Sequence, residues 1–484
     1  MPESMNFSFT QLHVELLIPM CISLLGGIIL LGVGVFNKTK SRELYVSISI
    51  LFVLLNLGFL LIEGNLTPQV GFFNLLLVDH ISYFAQILIL LCAFIILLFF
   101  MHNNTLPETQ KAEFYALFLF AIAGFAFMVS SENLILMLLG LECASLSIYA
   151  LIALHDDIHA FESSIKYFVM GSVASALLCF GALLLYAATG SIEMGHIGAF
   201  MQEHANSSWL AILGFIFLLC ALGFKTSLVP FHTWTPDVYQ GSNALIAGFI
   251  AIAPKIAALA VMIRIFEPFI QSHNTFVQCT LFALIVLSIS IPNLIALVQK
   301  DVKRMLAYSS ISHSGFVLSA ILLGLPDMVF LYWFFFLFAN LGAFGILWLC
   351  KKEGSNDISF DTLKSLITTN PTLAILLTFF MFALAGIPPF CVFWGKIYLI
   401  QNALGSHYII LALLMALNSI INAFYYLKVV IYIFNTQSAR PIPHISLSLP
   451  SIFALAITAI VSIGAIFMVQ NLLELLAKYG NSGF

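Results

Sequence analysis

The sequence predicts an all-α polytopic membrane protein of about fourteen transmembrane helices. Of its 484 residues, 61% are apolar and 8% charged, whereas soluble domains are roughly a quarter charged. The apolar residues gather into runs near the ~20 residues that a helix needs to cross a bilayer. The runs lack the two-residue alternation of a barrel strand, and in lipid only helices and closed barrels satisfy the backbone. This composition excludes cytosolic enzymes, nucleic-acid binders and disulfide scaffolds. The net charge of −4 says little, because placement outweighs the sum in a membrane protein.

Polar residues, Gly and Pro bound the spans at 13–36, 44–63, 80–101, 112–131, 133–154, 160–188, 209–231, 243–264, 274–298, 305–325, 328–350, 372–400, 406–434 and 447–477. No basic residue precedes the first run, which reads as an uncleaved span. The eight cysteines are scattered singly through apolar runs, as small core residues would be. The chain has no Walker loop, and no GxGxxG follows a strand pattern.

Fourteen crossings put Lys38, Lys40, Arg42, Lys111, Lys300, Lys303, Arg304, Lys351, Lys352, Lys364 and Arg440 on one face, and Arg264 and Lys478 on the other. Cationic linkers mark the cytoplasmic side, so both termini are expected on the opposite face.

Two spans are interrupted. The seventh runs into Pro230 and Pro236, and the twelfth contains Gly386, Pro388 and Pro389. Proline removes a backbone donor and clashes with the preceding turn, so both helices must open. Taken as units of five, spans 4–8 and 9–13 each have the broken helix fourth. Five being odd, the second unit enters from the opposite face, the pattern of an inverted repeat with its site near the midplane. The expected organisation is three N-terminal helices (1–111), a first five-helix unit (112–264), a second, inverted unit (265–434) and a C-terminal helix (435–484).

Five lysines lie within the spans: Lys166, Lys225, Lys255, Lys396 and Lys428; Glu142 alone among the acids sits well inside one. Each such charge costs about 2.5–3.5 kcal/mol at a helix centre on insertion scales, which argues for a use or a partner. Lys225, Lys255 and Lys396 each adjoin a proline distortion, where freed carbonyls and water can solvate an ammonium. Glu142 is the natural counter-ion for a lysine on a neighbouring helix, Lys225 foremost. Lys166, near its span end, fits a snorkelling side chain equally well. His232 stands at the first break and can pass protons near neutral pH, or be a satisfied core histidine; His313, on span 10, is its counterpart in the second unit. Lys428 reads as a snorkelling anchor. His155 and His159 have the spacing of helical metal ligands but occupy a short hydrophilic linker, and read as solvated loop residues.

A lysine carries protons only if its charge changes near neutral pH. Burial favours the neutral form and a nearby carboxylate the charged one. A pair about 4 Å apart at an effective dielectric of about 20 gains about 4 kcal/mol, equivalent to roughly three pKa units. Making or breaking a Glu142–Lys225 pair would therefore load or discharge the lysine, and Lys225, Lys255 and Lys396 would form a lateral relay. A structural spacer with locked charges and a solute transporter are rival readings; the latter lacks another polar cluster at midplane.

The segments GFKTSLVPFHTWTPDVYQG, the Pro254-Lys255 pair, QKDVKRMLAYSSISHSG and AGIPPFCVFWGKIYLI resemble the antiporter-like, proton-pumping subunits of respiratory complex I, the bacterial NADH-quinone oxidoreductase. The resemblance spans almost the whole chain and is densest from Asn133 to Lys396. It implies that Glu142 matches the family's span-5 glutamate, and Lys225, Lys255 and Lys396 its lysines on spans 7, 8 and 12. Lys166 and His232 match residues between the first pair and the central lysine. Lys396, the PDVYQG segment and an end after fourteen spans single out one branch among the sister subunits. The family also implies a bacterial inner-membrane location, other antiporter-like subunits and small membrane subunits as partners, and a peripheral arm carrying flavin and iron–sulfur clusters. Quinone reduction would occur on those other subunits, with no cofactor on this chain. The multisubunit Na+/H+ antiporters share these motifs and are the alternative.

Overall fold

The computed structural model describes residues 13–36, 41–63, 68–102, 107–155, 157–204, 208–351, 358–435 and 442–480. Of the linker cations, Lys38, Lys40, Lys352 and Arg440 lie outside the described residues. The chain begins with helices α1 (Ile18–Phe36) and α2 (Arg42–Glu63), followed by a hairpin of β1 (Gln69–Gly71) and β2 (Leu76–Val78). Next come α3 (His80–Phe100), α4 (Ala112–Val129), α5 (Leu134–Ala153), α6 (Ile158–Thr189), α7 (Met194–His204) and α8 (Trp209–Thr226). The middle of the chain forms α9 (Trp234–Gly241), α10 (Ala244–Ile250), α11 (Ala253–Gln271), α12 (Thr275–Leu297), α13 (Val302–Leu322) and α14 (Pro326–Leu349). The last elements are α15 (Leu366–Thr369), α16 (Pro371–Ala385), α17 (Cys391–Gly405), α18 (Ile409–Phe434) and α19 (Leu449–Gly480).

Among the described residues, thirteen helices are long and apolar enough to cross a membrane, with α10 and α11 counted together. The remaining expected span, the twelfth, consists of α16 and α17 on either side of Gly386–Phe390. The chain is thus a multi-pass α-helical membrane protein. The seventh expected span stops at Thr226, before its prolines, and resumes as the eight-residue α9. Both openings contain a cis X–Pro bond, Val229–Pro230 and Pro388–Pro389. Gly386 closes α16 in the left-handed region at φ +78°, a conformation that side chains with a Cβ resist.

Side-chain caps start the helices: Asp79 and Ser82 form a capping box on α3, and Asn133, Asp157, Asn243, Asn274 and Asp301 accept first-turn N–H groups of α5, α6, α10, α12 and α13. The centre of the molecule is α11, α13 and α14, whose side chains are almost all buried. By contrast α1, α2, α6, α12, α18 and α19 expose apolar faces, as helices bordered by lipid or other chains do. At the α4–α5 crossing, a Cβ on Gly124 would lie 2.4 Å from the Ala144 nitrogen and one on Gly140 2.6 Å from the Met128 nitrogen. Only glycine permits this approach, which fixes α5 against the core.

Two expectations need correction here. Arg264 is not a linker cation: α11 continues to Gln271, and Arg264 is buried, bonded to Asp79 at 2.5 Å and to the Val129 carbonyl at 2.6 Å. His155 is not a solvated loop residue: it meets the fully buried Glu108 at 2.6 Å, because the α5–α6 linker folds onto the turn at Pro107–Gln110. The hairpin and α7 fall between the expected spans and add to them.

Candidate functional site

Lys225 lies in the last turn of α8, where unpaired carbonyls favour a cation. Its ammonium donates to Ser145 Oγ at 2.8 Å and Tyr149 OH at 3.2 Å, both on α5. The rings of Phe224, Tyr149 and Tyr167 stand 5.5–5.6 Å away, within cation–π range. Beyond the break, Trp234 of α9 stacks on Tyr167 at 4.3 Å and donates to the Phe224 carbonyl at 3.2 Å, so the far side of the opening folds back over the lysine cage.

Glu142 precedes Ser145 by one turn of α5, yet the expected Glu142–Lys225 ion pair is absent among the described residues. The physical reason is competition. Ser145 and Tyr149 already hold the ammonium, while Ser175 of α6 donates to the Glu142 carboxylate. The structure has this pair open.

Lys255 sits in the first turn of α11 with no exposed surface. It donates to the Ser310 carbonyl at 3.0 Å and to Ser310 Oγ at 2.7 Å, and Tyr239 OH of α9 lies 3.5 Å from the same Oγ. One turn along α13, His313 meets Tyr332 OH at 2.7 Å through Nδ1 and Tyr426 OH at 3.2 Å through Nε2. His313 lies on α13 between Ser310, which holds Lys255, and Phe316, whose ring faces Lys396. Lys396 is in the second turn of α17, and its ammonium turns back across the break to the Ala385 carbonyl at 2.9 Å, with the Phe316 ring at 5.3 Å. This lysine satisfies a carbonyl that the opened helix leaves free.

The remaining candidates bond elsewhere. Lys166 is half exposed and pairs with Glu162 at 2.7 Å and Asp237 at 3.1 Å. His232 lies in the first break and is half buried. Lys428 caps the end of α12 through the carbonyls of Leu297 (3.2 Å) and Gln299 (2.9 Å), with the Phe360 ring at 4.5 Å. Among the described residues, no three His, Cys, Asp or Glu side chains converge as metal ligands. Sequence reasoning missed Ser145, Tyr149, Ser175, Ser310, Tyr239, Tyr332 and Tyr426. Helical spacing held part of the signal: Glu142, Ser145 and Tyr149 share one face of α5, and Ser310 and His313 one face of α13.

Opened helices with buried lysines in a many-span bundle define an antiporter-type membrane subunit, and residues 131–422 match the family described as NADH:quinone oxidoreductase/Mrp antiporter, TM. Full-length relatives narrow this. A protein of Helicobacter hepaticus named NADH-quinone oxidoreductase subunit N is 65% identical over 99% of both chains, and one of the same name from Sulfurimonas denitrificans is 40% identical over 99% of both. The chain belongs to the subunit N family of NADH-quinone oxidoreductases. Among solved structures, a chain of respiratory complex I from Thermus thermophilus with bound aureothin matches with a TM-score of 0.81 and 30% identity, over 93% of this chain and 97% of that one. A chain of the Mrp complex from Dietzia matches with a TM-score of 0.82 and 19% identity, over 95% and 96%, a likeness of fold alone.

Proposed function

We propose that this chain is a membrane-arm subunit of a proton-translocating NADH-quinone oxidoreductase in the bacterial inner membrane. It moves H+ through buried side chains, driven by quinone reduction elsewhere in the complex. Its own role is translocation without redox chemistry. Flavin, iron–sulfur clusters and quinone belong to partner subunits, and its membrane neighbours are antiporter-like and small subunits. Both termini face away from the cytoplasm, and residues 112–264 and 265–434 act as two inverted units.

The observation that carries this reading is the burial of Lys225, Lys255 and Lys396 against hydroxyl and carbonyl oxygens, with no carboxylate bound to any of them among the described residues. In the first unit, Glu142 would reach Lys225 by leaving Ser175. Forming that pair at about 4 Å is worth about 4 kcal/mol at an effective dielectric of about 20, enough to switch the lysine's charge. From Lys225 the relay passes to Lys255 and then by Ser310 and His313 to Lys396. Reconstituted complexes carrying Lys225→Ala or Glu142→Ala are expected to assemble but to lose most of their proton pumping. Normal pumping by both assembled variants would sink the assignment.

A further inference from the structure

Helix α9, the short second half of the first broken span, touches both lysine sites at once. Its first residue, Trp234, stacks on Tyr167 of the Lys225 cage, and Tyr239 reaches the Ser310 hydroxyl that holds Lys255. Between them stands Asp237, whose two carboxylate oxygens are divided. Oδ2 pairs with Lys166 of α6 at 3.1 Å, and Oδ1 with Arg304 of α13 at 2.7 Å. The Gln240 side chain accepts from the same Arg304 nitrogen at 2.9 Å. At the end of α9, Lys303 donates to the carbonyls of Gln240 at 2.6 Å and Ser242 at 3.0 Å, closing the helix with a cation from α13.

From these contacts we infer that α9 is the lever coupling the two lysine sites, and that Asp237 is its positioning carboxylate, clamped by one cation from each unit. Partly exposed ion pairs of this kind add little to stability, so a mechanical use fits them better than a structural one. A cavity of about 180 Å³ lies against Lys166, Glu162, Asp237 and Gln240. It gives Lys166 room to swing to Glu162, already 2.7 Å away, while Arg304 keeps its hold. Releasing one side of the clamp shifts α9, and with it the aromatic lid on Lys225 and the hydroxyl contact at Lys255 together. Lys166 thereby acts through α9, outside the proton file.

The inference rests on the proton-relay reading, and the two can be separated in one set of reconstituted complexes by the number of protons moved per quinone reduced. Asp237→Asn is expected to lower that ratio about threefold and Asp237→Glu to restore it, a rescue that a space-filling role would not give. Tyr239→Phe is expected to lower the ratio by a similar factor, and the double variant no further, because both act on one lever. A normal ratio in Asp237→Asn, or multiplying effects in the double variant, would overturn the lever. If Asp237→Asn does not assemble, Arg304→Gln, which leaves Asp237 paired with Lys166, is expected to show the same fall, and a normal ratio there counts against it equally. A normal ratio in Lys225→Ala would instead remove the relay reading itself.

Discussion

The two broken helices solve the same problem differently. At the first, Lys225 lies before the opening and its ammonium is held by side-chain hydroxyls and aromatic faces, with Glu142 one turn from Ser145 on α5. At the second, Lys396 lies after the opening and reaches back to a main-chain carbonyl, with one aromatic ring beside it and, among the described residues, no carboxylate bonded to it. Hydroxyls and a carboxylate can rotate, exchange partners and take protons. A peptide carbonyl does none of these; it moves only with its helix. The first lysine is therefore governed by side-chain rearrangement, and the second by the shape of the break itself.

That contrast can be broken from either side. The largest effect is expected from Gly386→Ala. A Cβ there would lie 3.0 Å from Lys396 Cδ and 3.2 Å from Nζ, at a left-handed φ of +78°. The strain of about 1–2 kcal/mol and the lost charge-assisted bond of about 1.5–3 kcal/mol should cut pumping more than tenfold. Gly405→Ala, with open space around it, should leave pumping in reconstituted complexes unchanged. Ser145→Ala comes next: it removes the shorter of the two Lys225 bonds, and a loss of about 1.4 kcal/mol predicts a fall of up to about tenfold, read from the initial rate of acidification. Tyr149→Phe keeps the ring and removes the longer bond, so about a twofold loss is expected in the same assay. Equal sensitivity to Gly386→Ala and Ser145→Ala would erase the distinction between the two breaks.

The spans and both breaks were legible in the sequence because hydropathy and proline act locally. The buried lysines were legible because a charge in an apolar run needs a reason. What a charge bonds to depends on partners far along the chain: 80 positions separate Lys225 from Ser145, and 55 separate Lys255 from Ser310. Glu142 was readable as a polar group of this site, but its choice of Ser175 over Lys225 was not, since three helices decide it. Arg264 misled for a related reason: a helix can outrun its apolar stretch when a buried carboxylate receives the charge. The hairpin at Gln69–Val78 is apolar but far too short to cross a bilayer, so hydropathy alone gave it no place among the spans.

The Arg264–Asp79 pair has a consequence for biogenesis. Its two members are 185 positions apart. At about 5–20 residues per second, Asp79 is synthesised roughly 10–40 s before its partner. Throughout that interval the hairpin and the start of α3 lack the cation that neutralises them. The Asp79 end of the N-terminal helices can therefore lock only once α11 has arrived, which makes the helix that carries Lys255 a late checkpoint of assembly.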